Sequence, residues 1–166
     1  VFSESITPII INCKEYTMKK RILFINLLVF AAISVHAQSA QKLGEMISSE
    51  KLTKGQVAYL SATYQKSVSD DASEAEAFEA LVEQGFFTYS DAADDVADLG
   101  TAAFLCARAT DLKGGLFYTL FHNARYAFKE LKAKGVLPPE ADPSMTLNGR
   151  DAIAIMNGCI ELRGKE

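Results

Sequence analysis

The feature that most restricts what this chain can fold into is an internal repeat. Writing "AFEALVEQGFF" (Ala77 to Phe87) above "AFKELKAKGVL" (Ala127 to Leu137) aligns Ala77 with Ala127, Phe78 with Phe128, Leu81 with Leu131 and Gly85 with Gly135, at a constant offset of 50. The register continues without gaps to Ala102/Ala152 and Leu105/Ile155. A period of this length means stacked copies of one supersecondary unit, each unable to bury its apolar face alone. An earlier half copy is present too, since "LTKGQVAYL" (Leu52 to Leu60) matches "LNGRDAIAI" (Leu147 to Ile155) at an offset of 95. The chain therefore reads as a half unit (residues 38–66) followed by two whole units (71–112 and 122–162).

Apolar spacing is helical almost throughout, and no alternating run long enough for a strand occurs. The expected fold is all-α, a compact bundle of about six helices built from about two and a half helix-turn-helix units. Helices are expected at Gln41 to Ser48, Thr53 to Lys66, from Asp71 or Ser73 to Gly85, at Leu99 to Ala109, Asn123 to Lys134 and Gly149 to Glu161. Val57, Leu60 and Tyr64 share one face of the second. Ser73 with Glu76, Thr53 with Gln56 and Asn148 with Asp151 have the spacing of capping boxes, in which the third residue returns a hydrogen bond to the cap backbone. Gly85 and Gly135 stand where left-handed C-terminal caps belong.

The repeat resembles the S-layer homology domain of bacterial envelope proteins, whose unit is a helix A-x3-L-x3-G-hydrophobic, a loop, then I-T-R-x-E-A/F opening a second helix. Ala77, Leu81, Gly85 and Phe86 meet the first pattern, as do Ala127, Leu131, Gly135 and Val136. "LNGRDA" and "LTKGQV" fall on the second, with Pro143 four residues before Leu147. The arginine position is Lys54 in the first unit and Leu99 and Gly149 in the others. The resemblance implies an envelope module that engages cell-wall polysaccharide, with Lys54 among its ligand-binding residues.

Export is expected independently. "MKKRILFINLLVFAAISVHAQ" has a basic start (Lys19, Lys20, Arg21), an apolar stretch from Ile22 to Val35, and a small-x-small cleavage site at Val35-His36-Ala37, the layout of a signal peptide. Residues 1–17 precede this leader and read as an upstream extension; residues 38–166 read as one helical domain, periplasmic or extracellular. The apolar stretch is short of the ~20 residues a spanning helix needs, so no stable transmembrane anchor is expected. The chain carries a net charge of −4, and removing the leader's cations makes it more acidic. An acidic surface argues against nucleic acid, which requires clustered Lys and Arg to release counterions.

Candidate chemistry is sparse. His122 is the only histidine after the leader, and neither it nor Cys106 and Cys159 has metal-ligand spacing. An oxidising compartment permits a Cys106–Cys159 bridge, whereas their apolar helical settings suit free, core-packed thiols. "DDVAD" (Asp94 to Asp98) fits a magnesium-diphosphate pattern, but a solvated loop with a helix-capping Asp explains it as well. No nucleophile or phosphate-loop motif occurs, so the expectation is a non-enzymatic protein with neither cofactor nor metal. Its partner is expected to be cell-wall glycan or another envelope protein. The first repeat helix carries Glu74, Glu76, Glu79 and Glu83 where the second has Lys129, Lys132 and Lys134, which would allow a homo-oligomer joined head to tail.

The segment "GGLFYTLFHNARY" (Gly114 to Tyr126) joins the two whole units. It reads as a hydrophobic joint with Leu116, Phe117, Leu120 and Phe121 wedged between repeats. Tyr118, His122 and Arg125 have the spacing of neighbours on one helix face and are candidate ligand-binding residues. The alternative is a small-ligand or lipid-binding periplasmic protein in which Phe117, Tyr118, Phe121 and Tyr126 line a pocket.

Overall fold

The computed structural model describes residues 40–121 and 123–165. The segments expected to be a leader and an upstream extension, and His122, therefore lie outside the described residues. Almost all of the described chain belongs to one compact unit, Lys42–Glu166. It is all-α. Helix α1 is described over residues 40–48. It is followed by α2 (Lys54–Tyr64), α3 (Glu74–Glu83), α4 (Leu99–Ala109), α5 (Leu116–Phe121), α6 (Ala124–Ala133) and α7 (Gly149–Arg163).

Local chemistry sets most helix starts. Thr53 caps α2 and Ser73 caps α3, each in a complete box with Gln56 and Glu76; such a cap is worth about 1 kcal/mol. Ser73, rather than Asp71, thus opens α3. Asp98 caps α4 and Asn123 caps α6. At α7 the expected box is altered. Asn148 Oδ1 accepts from Asp151 N, but Asp151 Oδ2 accepts at 2.8 Å from the Asn148 side-chain amide instead of from the cap backbone. Helices α3 and α6 both end in a left-handed glycine, Gly85 at φ 77° and Gly135 at φ 76°.

Helix α2 packs on α3 and α4 on α6, while α4 also touches α2 and α7. Where the starts of α2, α4 and α7 meet, three backbone groups close a ring. Leu52 N–H donates to the Leu147 carbonyl (2.9 Å), Leu147 N–H to Ala97 (3.2 Å), and Ala97 N–H to Leu52 (2.8 Å). All three residues are fully buried, so the ring satisfies donors and acceptors that would otherwise be costly orphans. Around it, each approaching segment supplies carbonyls to another helix's unpaired first turn. Ala93 and Asp95 accept from Gly55 and Lys54 of α2, Pro143 and Met145 from Gly100 and Leu99 of α4, and Ser49 from Gly149 of α7. The segment leading into α2 thus supplies the third side of the ring.

Two expectations need correction at the joint between α4 and α6. The segment from Leu116 to Phe121 is itself a helix, and Leu116, Leu120 and Phe121 are not wedged inside. They are 78, 67 and 51% exposed. Among the described side chains of α5, which do not include that of Phe117, Tyr118 turns inward, because Gly114 leaves room for its ring; a Cβ there would lie 2.9 Å from Tyr118 Cβ and Cγ. The helix also breaks after Phe121, since Asn123 takes an extended conformation (φ −117°, ψ 165°) as the cap of α6. Tyr118 and Arg125 therefore sit on different helices and share no face.

Candidate functional site

A groove of about 770 Å³ opens where α6, the first turn of α4 and the loop from Ala141 to Ser144 meet. Helix α6 turns Arg125, Phe128, Lys129 and Lys132 toward it, the i, i+3, i+4, i+7 spacing that puts side chains on one face. Phe128 is buried to 5% exposure and belongs to the core, which fixes this face. Arg125 and Lys129 are exposed and Lys132 is half-buried. Lys132 Nζ donates to the Ala141 carbonyl at 3.0 Å and lies 6.0 Å from the Phe128 ring centre, so its ammonium is positioned rather than free to sample solvent.

The opposite wall is held by backbone. Gly100 approaches Pro143 so closely that a Cβ would meet its Cβ at 3.1 Å and its carbonyl oxygen at 3.3 Å. Both carboxylates in the groove already serve the backbone. Asp98 accepts from Thr101 N at 2.7 Å, and Asp142 accepts from the Ser144 hydroxyl and N–H at 2.5 and 2.9 Å. The Ser144 hydroxyl, then its N–H, hold the Asp142 carboxyl below the usual range. Three cations therefore face two committed carboxylates, an arrangement that attracts polyanions.

The corresponding face of α3, 50 positions earlier, has the opposite character. Ala75, Glu79 and Val82 stand in place of Arg125, Lys129 and Lys132. Its cation is Lys54, at the start of α2, bonded to Asp91 at 2.5 Å and Asp95 at 3.0 Å. Burial works to lower the Lys54 pKa, but hydrogen bonds and charge from Asp91 and Asp95 outweigh it and leave it raised. Hydrogen bonds from Lys54 and then Thr88 pull Asp91 down to about 2. Lys54 is thus already neutralised within the fold. The positions that align with Lys54, Asp91 and Asp95 at offsets of 45, 50 and 50 are Leu99, Ala141 and Met145, and the whole ion pair is replaced by apolar groups.

Of the four candidate site residues, only Arg125 lines the groove. Lys54 is in its ion pair, Tyr118 is buried (3% exposed) and its hydroxyl pushed up to about 12 chiefly by that burial, and His122 lies outside the described residues. Phe121 and Tyr126, offered as pocket walls, stack on each other with ring centres 5.1 Å apart. Sequence reasoning noticed Lys129 and Lys132 as a charge reversal without assigning them to a site, because the start of α4, which forms part of the groove at Asp98, Gly100 and Thr101, is remote in the chain.

The acidic run is likewise absorbed by structure. Asp98 caps α4, Asp91 accepts from Thr88 N at 2.8 Å, and Asp95 accepts from Ala92 N at 3.0 Å. Among the described residues no group of three or more His, Cys, Asp or Glu could hold a metal ion, and no helix is long and apolar enough to cross a membrane. Cys106 and Cys159 are free and buried, and burial raises both thiols, Cys159 to about 12. Comparison with family models, with curated proteins and with solved structures finds no match to the chain.

Proposed function

We propose that this is an exported, non-enzymatic envelope protein whose folded unit binds an acidic cell-wall glycan in the groove between α4, α6 and the loop from Ala141 to Ser144. The observation that carries this reading is the set of three cations, Arg125, Lys129 and Lys132, along one face of a groove of about 770 Å³ whose carboxylates are committed to the backbone. A carboxylated or phosphorylated polysaccharide suits such a groove. Its charges meet Arg125 and Lys129 at the rim, while Lys132, held over Phe128, marks the inner wall. Two further supports are the leader at residues 18–37 and the resemblance to S-layer homology units, in which this chain is two and a half repeats closed through the ring at Leu52, Ala97 and Leu147.

The reading departs from the family pattern in one respect. The family's cationic position is spent on an internal ion pair at Lys54 and is apolar at Leu99, so recognition passes to α6. The test is retention on purified sacculi with and without their attached polysaccharide. The parent should be retained only when polysaccharide is present, and Arg125→Gln/Lys129→Gln should lose most of that retention, with increasing salt acting in the same direction. Lys54→Gln should retain binding. Failure of the parent to bind either preparation would remove the proposal.

A further inference from the structure

Helix α5 has an apolar face with no cover among the described residues. Tyr118 faces inward, while Leu116 and Leu120, one turn apart, project on the opposite side at 78 and 67% exposure. Phe121 extends the patch at 51%, backed by its stack on Tyr126. The helix is held in this orientation. Tyr118 fits against Gly114, and Thr119 Oγ1 donates to the Gly114 carbonyl at 3.0 Å. Singly exposed apolar side chains are ordinary, but several gathered on one short helix mark an interaction site.

We propose that α5 is an interfacial anchor, inserting Leu116, Leu120 and Phe121 into the headgroup region of an anionic lipid surface. Charge selects this occupant. Lys113 stands three residues before the helix, Arg125 four residues after it, and Lys129 one turn further along α6, in a chain whose net charge is −4. Apolar tips bordered by cations are what a lipid interface recognises. Two acids border the same region: Asp111 is exposed before the helix, and Glu130 is engaged by Lys134 at 3.7 Å. Area points the same way. Three side chains on a six-residue helix fall well short of the ~800 Å² and 20–30 residues per side of a stable protein interface.

The proposal rests on the apolar face of α5 but shares Arg125 and Lys129 with the groove, so Leu116→Ser/Leu120→Ser, which leaves both cations in place, is the variant that separates lipid binding from glycan binding. The test uses residues 40–166, which carry their own core, with vesicles of phosphatidylcholine alone and of phosphatidylcholine mixed with phosphatidylglycerol. The parent should float with the mixed vesicles, and Leu116→Ser/Leu120→Ser should weaken that partition by at least about tenfold. Both positions are exposed, so the variant should keep the parent's thermal midpoint and its retention on sacculi. Arg125→Gln/Lys129→Gln should abolish the preference for the anionic mixture. Absence of parent binding, or equal binding by Leu116→Ser/Leu120→Ser, would overturn the proposal. So would a parent dimer that this variant converts to monomer, because a second copy would then cover the face.

Discussion

Replacing Gly149 with alanine tests the junction on which the ring depends. Gly149 opens α7 directly against the end of α1. An added Cβ would lie 2.6 Å from the Met46 carbonyl carbon, 2.9 Å from Ile47 Cα, and closer still to the Met46 carbonyl oxygen. These are backbone atoms, so no rotamer change relieves the clash; the end of α1 must move away by more than about 1 Å to restore van der Waals contact. Overpacking against such an unyielding wall costs about 1–3 kcal/mol. The same displacement breaks the 2.9 Å bond from Gly149 N–H to Ser49, worth about 1 kcal/mol. Against this, alanine restricts the unfolded chain and returns about 0.4–1 kcal/mol. The net expectation is a loss of about 2–3 kcal/mol, or roughly 10 °C in thermal midpoint for a domain of this size. Urea unfolding followed by far-ultraviolet circular dichroism measures it, with an unchanged slope showing that the native state alone has changed. Gly55→Ala is the control, because its Cβ would meet Ala93 Cβ and carbonyl oxygen at 3.2 Å, a contact relaxed by a few tenths of an ångström. A Gly149→Ala stability within about 0.5 kcal/mol of the parent, or a Gly55→Ala loss just as large, would refute the reasoning.

Two further outcomes follow from the geometry. The depressed Asp91 pKa of about 2 means that its ion pair contributes stability above the ordinary carboxyl range and loses it as pH falls toward 2; the raised Lys54 pKa sustains its share until pH exceeds about 10.5. With Asp91 about one-quarter exposed, Asp91→Asn should cost about 1 kcal/mol at pH 7, and the gap from the parent should narrow steadily below about pH 4, most of it gone by about pH 2; urea midpoints showing an equal gap at both pH values would contradict this. Gly135→Ala should cost about 1 kcal/mol through its φ of 76° alone, since nothing lies within 4 Å, whereas Gly44→Ala in exposed α1 should gain about 0.5–1 kcal/mol; thermal midpoints shifting in the same direction would exclude a backbone origin.

What the sequence shows of this fold depends on how local the governing interaction is. The Thr53–Gln56 and Ser73–Glu76 boxes involve residues three apart, and the starts of α2 and α3 were legible for that reason. The C-terminal glycines are equally local. Helix α5 was not legible. Six residues give little periodicity, and the apolar character of Leu116, Leu120 and Phe121 suggested burial, although an apolar side chain at the surface breaks no rule. What turns the helix outward is the fit of Tyr118 against Gly114. The ring of Leu52, Ala97 and Leu147 left no trace in residue type, because its bonds are backbone to backbone across the fold. The groove was half legible: Arg125 was noticed and Lys129 and Lys132 were seen as a reversal of charge, but their convergence with Ala141 to Ser144 depends on the packing of α4 against α6.

The contrast between the aligned segments separates charges that are paired within the fold from charges that are not. Lys54, Asp91 and Asp95 form a mutual ion pair, and the positions that align with them 45 and 50 residues later are all apolar: Leu99, Ala141 and Met145. Removing both sides of an ion pair together is close to neutral, whereas removing one leaves a charge without its partner. The joint replacement is therefore what stability alone permits. The cations of α6 follow no such logic. Arg125 and Lys129 are exposed at a groove rim in positions where α3 has Ala75 and Glu79, and the nearby Asp98 and Asp142 are already bonded to backbone. Lys132 does bond the Ala141 carbonyl, which ties it to the loop and orients the groove's inner wall. Exposed charges contribute about 0–1 kcal/mol to folding even when well paired, so a cluster of one sign gathered in an acidic chain gains little for the fold. Its value lies in the field it presents, and that field is what an acidic glycan would meet.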